Sequence, residues 1–176
     1  AKVGAKLHKA DFDSIRLRSH GLEGQVFDCD GYEALELPLL GDHQLHNAAV
    51  VLTAVDALRE RGWNLPEEAV RKGLKDVKWP GRFELLRKDP LFIIDGGHNP
   101  QCIEALVKNI DDYLAGRPLT VLTGVLGDKD FHCMYANVVP FAKEFITVTP
   151  GNPRALDAKE LAKYLAAFGK PVTPCD

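Results

Sequence analysis

The stretch LFIIDGGHNP, residues 91–100, places a short apolar run directly before two glycines and, after two polar residues, a proline. Continuous apolar runs are typical of strands buried on both faces of a parallel sheet, and proline favours the first position of a helix. The runs 119–123 and 145–149 repeat the strand pattern, and helix-period segments cover 100–114 and 157–168. This alternation predicts a parallel α/β sheet, with ligands bound in the loops beyond the carboxyl ends of its strands.

Residues 1–36 show a different sequence pattern, in which many turn-forming residues separate short segments of polar and apolar residues. This pattern predicts short antiparallel strands joined by turns. Residues 47–61 carry apolar side chains at spacings of three and four and stop at Gly62, as an amphipathic helix does. A second, short helix is expected after Leu65-Pro66, where proline precedes two acidic residues.

The segment Trp79-Pro80-Gly81-Arg82 separates these two sequence patterns. Proline and glycine interrupt both helices and strands, so we expect two domains, 1–82 and 83–176, that move relative to each other. A length of 176 residues is compatible with this division. From Pro171 onward a further strand is expected to begin, which suggests that the second domain is truncated.

Composition excludes several classes of protein. Hydrophobic residues make up 45% of the chain and charged residues 27%, which is typical of a soluble globular protein. A net charge of -3 disfavours nucleic-acid binding. No charged-then-apolar leader opens the chain, and no apolar run approaches the about 18 residues that span a bilayer. We therefore expect neither a nucleic-acid nor a membrane partner.

The cysteines and histidines give no metal-binding signature. The four cysteines are widely spaced and form no C-x-x-C pair, so a metal site or a disulfide framework is not expected. They are Cys29, Cys102, Cys133 and Cys175. His43 and His46 could share one helix face but lack a third ligand at suitable spacing. Isolated thiols suit a reducing compartment, so we expect a cytoplasmic protein.

The segment from Asp95 to Pro100 has two interpretations. In the first, Asp95 accepts hydrogen bonds from a ribose diol, Gly96-Gly97 lets the backbone approach a ligand, and His98 and Asn99 face that ligand. In the second, the glycines only turn the chain, and Asn99 caps a helix that begins at Pro100. The segment lacks the G-x-G-x-x-G spacing, which disfavours a dinucleotide site.

Four more polar residues lie next to predicted element ends. The Asn47 carboxamide has both a donor and an acceptor, as an adenine edge requires. Arg82 offers a guanidinium fork for phosphate, or it makes a surface salt bridge. Lys129 and Arg154 follow the second and third apolar runs, where each could bind a carboxylate or belong to a charged turn.

Five motifs together resemble one family, folylpolyglutamate synthase and dihydrofolate synthase of the Mur ligase superfamily. The resemblance covers roughly residues 35–155 and is close to the bacterial bifunctional enzymes. The motifs occur in the family's order and are LGDHQLHNAA (40–49), WPGRFE (79–84), DGGHNP (95–100), GDKD (127–130) and TPGNPR (149–154).

The resemblance implies a fold, a reaction and residue roles. Residues 1–82 would be the end of a P-loop-type ATPase domain, and residues 83–176 a Rossmann-like parallel-sheet domain. The implied protein is a monomeric, ATP- and magnesium-dependent ligase that adds L-glutamate to dihydropteroate or folate through an acyl phosphate. The implied roles are adenine contact for Asn47, phosphate contact and catalysis for Arg82, ribose contact for Asp95, phosphate or glutamate contact and catalysis for His98, and glutamate contact for Lys129 and Arg154.

The chain departs from the family in one respect, because no G-x-x-G-K-[ST] phosphate loop is present. The family carries that loop, with its magnesium and pterin contacts, in an earlier part of the ATPase domain. We therefore expect a fragment of such a ligase. Two alternatives remain open, namely another ligase of the superfamily, of muramyl-peptide or cyanophycin type, and a non-catalytic nucleotide-binding module.

The first prediction follows from the missing loop. We expect the 176-residue chain alone to show no ligase activity with ATP, magnesium, glutamate and a pteroate substrate, because nothing in it replaces the amides and lysine that hold the transferred phosphates. Phosphate release from the purified chain is the measurement. Release that requires both glutamate and the pteroate would contradict the prediction.

Overall fold

The computed structural model describes residues 4–175 and divides into two compact units. The first unit ends at Asp95 and the second begins at Gly96. Mixed helices and strands in both units confirm the predicted α/β class. No helix within 4–175 has the length and apolar character needed to cross a bilayer.

The first unit opens with a three-stranded antiparallel meander. Its strands are β1 (Arg16–Gly21), β2 (Gly24–Cys29) and β3 (Tyr32–Leu37), in that order across the sheet. On β2 every second side chain, from Gln25 to Cys29, is buried, which is the period expected of a strand with one covered face. The predicted short antiparallel strands are therefore confirmed.

Two helices follow the meander and cover it. They are α1 (Asp42–Arg59) and α2 (Glu67–Lys75). The core between sheet and helices is built from large residues of the sheet and small and branched residues of the helices. Its central members are Phe27, Leu35, Leu37, Ala48, Ala49, Leu52, Val70 and Leu74. The small alanines of α1 let that helix approach the sheet closely.

The first helix begins five residues earlier than the predicted start at Asn47. Gly41 occupies the N-cap with a φ of 98°, a conformation that glycine adopts without strain. Helical backbone therefore includes Asp42, whose acidic side chain suits the positive end of the helix dipole. The consequence is that residues 42–47, expected to precede the helix, form its first two turns.

The unit ends with a β-hairpin, β4 (Glu84–Lys88) and β5 (Leu91–Ile94). These strands pair antiparallel, so the prediction that the run after residue 90 belongs to a parallel sheet, buried on both faces, is wrong. A tight turn allows the two runs to pair locally, and local pairing closes a much shorter loop than a parallel crossover does. Phe92 and Ile94 remain 46% and 45% exposed on the outer face.

The second unit contains a parallel sheet with the order β6-β7-β8. Its elements are α3 (Pro100–Leu114), β6 (Leu119–Thr123), α4 (Phe131–Val138), β7 (Ala142–Val148), α5 (Ala158–Ala166) and β8 (Val172–Cys175). Helices α4 and α5 provide the two crossovers, as parallel pairing requires. The parallel α/β prediction is thus confirmed for the runs after residue 118, including the strand expected after Pro171.

Strand β6 is not buried on both faces as predicted, because its residues alternate between half-buried and exposed. Leu122 is 57% exposed. The core lies on the other side, where Phe145 of β7 and the α5 residues Leu161 and Leu165 are almost completely buried. The sheet therefore behaves here as a one-sided layer.

This difference gives a matched stability test within the second unit. Leu161→Ala should lower the free energy of unfolding by about 2–5 kcal/mol, since Leu161 is 0% exposed and truncation leaves a cavity. Leu122→Ala removes the same atoms from an exposed site and should cost less than about 1 kcal/mol. Urea unfolding of both variants is the measurement, and equal losses would contradict the packing described above.

Candidate functional site

A buried glutamine fixes the loop that leads into α1. The Gln25 side chain on β2 is 2% exposed, and its Nε2 donates to the carbonyl oxygens of Leu39 at 2.8 Å and Gly41 at 3.2 Å. Both carbonyls belong to the loop between β3 and α1, which would otherwise lack a fixed path. The Gln25 side chain therefore determines where the first turn of α1 lies.

That first turn begins a short chain of polar side chains. Gln44 Nε2 lies 3.1 Å from His43 Nε2, and Asn47 Nδ2 donates to Gln44 Oε1 at 3.1 Å. Gln44 and Asn47 are three residues apart and so share one helix face. Gln44 is buried, whereas Asn47 is exposed and available to a ligand.

Asp95 is held at the end of β5. Its Oδ2 accepts a hydrogen bond from the backbone N–H of Phe83 at 2.8 Å. Phe83 is buried with a φ of 46°, and the preceding turn is fixed by Glu84 Oε2, which accepts from the Gly81 N–H at 2.7 Å. The turn that carries Arg82 is therefore tied at both ends, and it lies beside the Asp95 carboxylate.

The charges of this turn act on His43. Burial lowers the pKa of His43, the Asp95 carboxylate raises it, and the Arg82 guanidinium lowers it further. Asp95 and Arg82 therefore both lie within electrostatic reach of His43. The Arg82 side chain is half-buried, and none of the ion pairs among residues 4–175 involves it. Its role towards phosphate stays a prediction.

His98 and Asn99 belong to the second unit. Asn99 caps α3, since its Oδ1 accepts from the Cys102 N–H at 2.9 Å and Pro100 is the first helical residue. The capping interpretation of Asn99 is thus confirmed. His98 is exposed, with Nδ1 2.9 Å from the Gly96 carbonyl oxygen. The ligand roles assigned to Asp95 and His98 stay predictions.

Two loops at the carboxyl edge of the parallel sheet hold the other predicted cations. The Gly127 N–H donates to the Arg154 carbonyl at 2.8 Å, so the loops after β6 and β7 are joined. Arg154 Nη1 pairs with Asp128 Oδ2 at 2.7 Å, and Lys129 follows in the same turn. The structure thus brings Lys129 and Arg154 to one edge, as expected of ligand-binding loops in such sheets.

Close packing explains a glycine in the first of these loops. A Cβ added at Gly124 would lie 2.5 Å from the Val148 carbonyl oxygen and 3.0 Å from the Pro150 ring. Any side chain at this position would push the two loops apart. Gly124 therefore sets the distance between the segments that carry Lys129 and Arg154.

No group of three or more histidine, cysteine, aspartate or glutamate side chains in the described part of the chain is arranged to hold a metal ion. His43 contacts Gln44, and the exposed His46 ring packs edge-on against Phe12 with centroids 4.8 Å apart. These two histidines thus have separate neighbours.

The residue patterns do not indicate Gln25 or Gln44, and they indicate His43 only as a possible metal ligand. The available signal was the spacing of three between Gln44 and Asn47, which places two carboxamides together once the helix is extended to Asp42. Asn47, Arg82 and Asp95 are gathered around His43 in the first unit, whereas His98, Lys129 and Arg154 lie in the second.

Comparison with known proteins gives the class of this chain. The family model described as "Mur ligase, glutamate ligase domain" matches residues 81–176. This match covers more than half of the chain, so the chain belongs to that family of Mur ligase domains.

The relatives that resemble the chain include folylpolyglutamate and dihydrofolate synthases. The chain is 38% identical to a folylpolyglutamate synthase of Lacticaseibacillus casei, covering 83% of this chain and 35% of that protein. It is 37% identical to a dihydrofolate synthase/folylpolyglutamate synthase of Mycobacterium tuberculosis, covering 92% and 34%. The solved M. tuberculosis folylpolyglutamate synthase complexed with ADP superposes with a TM-score of 0.80 at 33% identity, covering 93% and 38%. The chain thus spans about a third of the length of these relatives.

Proposed function

We propose that this chain is part of an ATP-dependent ligase that joins L-glutamate to dihydropteroate or folate. The observation that carries the proposal is the cluster of Asn47, Arg82 and Asp95 around His43, in a chain of the Mur ligase family. The names of its relatives, and the ADP in one of them, support the same assignment. We also propose a monomer, and a cytoplasmic location, in which four free thiols are stable.

The first-unit cluster offers a complementary group for each part of ATP. Asn47 presents a carboxamide to adenine, and Asp95 presents a carboxylate that accepts two ribose hydroxyls. One Asp95 oxygen is already oriented by the Phe83 N–H, which holds the group in place before the nucleotide binds. Arg82 supplies the planar fork that suits phosphate oxygens.

The proposed reaction has two steps. The substrate carboxylate attacks the γ-phosphorus of ATP, the bond to the β-phosphate oxygen breaks, and acyl phosphate and ADP form. The glutamate amine then attacks the acyl carbon and expels inorganic phosphate, which leaves an amide and one released proton. Arg82 stabilises the negative charge that develops on the transferring phosphoryl group.

We assign the second-unit residues to the other substrate. His98 would act near the phosphate or the incoming amine, and Lys129 and Arg154 would bind the carboxylates of glutamate. Arg154 pairs with Asp128 through Nη1 only, so the remaining guanidinium N–H groups can donate to a carboxylate. The described residues contain no group of three or more metal-ligating side chains, and we place the magnesium ligands outside them.

The nucleotide roles can be separated in the complete ligase. Asp95→Ala should weaken adenosine binding by about 1.5–3 kcal/mol, because two hydroxyls lose a charged acceptor. Arg82→Ala should leave adenosine affinity unchanged, because adenosine has no phosphate. It should lower kcat more than ADP affinity, because the negative charge on the phosphoryl group that Arg82 contacts is largest in the transition state. Calorimetry with adenosine and ADP, together with ATP kinetics, measures both effects.

Two control variants sharpen this comparison. Asp95→Asn keeps an oxygen for the Phe83 N–H but loses the charged acceptor, so it should weaken adenosine binding without disturbing the turn. Arg61→Ala removes an exposed guanidinium beyond α1 and should change nothing. Equal loss of adenosine affinity in the Arg82 and Asp95 variants would show that the two roles are wrongly assigned.

We also propose that the domain boundary lies at 82/83. The family match begins at residue 81, whereas the compact units divide at Asp95. Limited proteolysis distinguishes the two positions, and we expect the first cut between about residues 76 and 90, where the Pro80-Gly81 turn is exposed to half-buried. A first cut inside α1 or in the segment 95–99 would contradict this boundary.

A further inference from the structure

The three side chains at the start of α1 form a directional hydrogen-bond relay, His43–Gln44–Asn47. The Gln44 amide nitrogen has only donor hydrogens, so the His43 Nε2 at 3.1 Å must act as the acceptor. A neutral imidazole with its proton on Nδ1 satisfies this requirement. Gln44 Oε1 then accepts from Asn47 Nδ2. The Asn47 Oδ1 takes no part in the relay.

The hydrogen bonds can also run in the opposite direction, but this requires protonation of His43 and rotation of both the Gln44 and the Asn47 amide groups. A protonated His43 donates from both ring nitrogens, so Gln44 must turn its oxygen towards the ring and its NH2 towards Asn47. Asn47 must then turn its oxygen inward, which leaves its NH2 facing out. Protonation of the His43 ring therefore changes the group that Asn47 exposes, from the oxygen acceptor to the NH2 donor.

Because Gln44 is buried, its amide group needs both His43 and Asn47 as hydrogen-bond partners. Gln44 is 7% exposed, so water cannot readily replace a lost partner, and within 4–175 every buried side-chain nitrogen and oxygen has a hydrogen-bond partner. The charged and titratable groups that act on His43 are Asp95, Asp42, Arg82 and His46, with effects of both signs. Burial outweighs them and lowers the pKa of His43, which favours the neutral acceptor form near pH 7.

We propose that His43 is a positioning residue which, through Gln44, makes Asn47 present its oxygen and so selects a 6-amino purine over a 6-oxo purine. The 6-amino group of adenine donates to Asn47 Oδ1, whereas the 6-oxo group of hypoxanthine meets an acceptor and is rejected. This selectivity rests on the proposed nucleotide site, but the relay itself does not.

Solution NMR of the 176-residue chain tests the relay without any nucleotide. Long-range ¹H–¹⁵N spectra at pH 7.5 should show the His43 proton on Nδ1. On acidification the side-chain amide signals of Gln44 and Asn47 should shift with the same midpoint as the His43 ring, and His46→Gln should leave that midpoint within a few tenths of a unit. A proton on Nε2 at pH 7.5, or amide signals that do not follow His43, would overturn the relay.

Binding of ADP and IDP to the complete ligase tests the selectivity, since these ligands differ only in the purine. We expect wild type to prefer ADP by about tenfold at pH 7.5 and to lose that preference as the pH falls through the His43 midpoint that the NMR titration gives. His43→Gln removes the titrating ring but keeps a group that can hydrogen-bond to Gln44, so its preference should be the same at both pH values, above and below that midpoint. His43→Leu should lose it at both.

The outcomes separate the two proposals. Full preference in His43→Leu with the same pH dependence as wild type, while amide spectra show an intact fold, would overturn the role of His43. Binding of neither nucleotide would overturn the proposed nucleotide site and the selectivity with it, and the NMR titration would still decide the relay.

Discussion

The two hydrogen bonds from the Gln25 side chain to the carbonyl oxygens of Leu39 and Gly41 connect the sheet of the first unit to its site. Gln25 alternates with Phe27 on the covered face of β2, so the strand period that builds the core also delivers one amide to the loop. A buried amide without partners is costly, which makes this arrangement stable only when the loop takes one path. The start of α1 follows from that path.

The helix start in turn determines the chemistry of the cluster. With helical backbone from Asp42, Gln44 and Asn47 share a face and His43 lies beside Gln44. A helix starting at Asn47 would have left His43 and Gln44 in the preceding loop, with no helical spacing between Gln44 and Asn47. The turn that holds Arg82 is fixed independently by the bonds of Gly81 and Phe83 to Glu84 and Asp95. Two separate sets of side chain-to-backbone bonds therefore position the polar side chains of the first unit that we propose to bind nucleotide.

Patterns with a local cause were predictable from the sequence, and those with a tertiary cause were not. Asn99 followed by Pro100 predicted the start of α3, because a cap and an N1 proline act within one turn. The antiparallel direction of β5 was missed, since an apolar run has the same appearance in a hairpin and in a parallel sheet. Residue chemistry identified Asn47, Arg82 and Asp95 as candidates. It could not identify His43, whose role depends on burial and on a neighbour that only the folded chain supplies.

His43 and Asp28 both couple the stability of the first unit to pH, but over different ranges. His43 has a lowered pKa in the folded chain, so the unfolded chain binds its proton more tightly, and stability falls as pH drops below the ordinary value of 6.5. Asp28 accepts from the Ala34 N–H and pairs with Arg18, and both interactions lower the pKa of its carboxyl below 3.8. Stability from Asp28 is therefore present above 3.8 and is lost only as pH falls further. The carboxylate contacts of Asp28 therefore persist above pH 3.8, whereas protonation of His43 both reverses the relay and costs stability. A change in purine preference on acidification is consequently assigned to the relay only where amide spectra at the same pH show a folded unit.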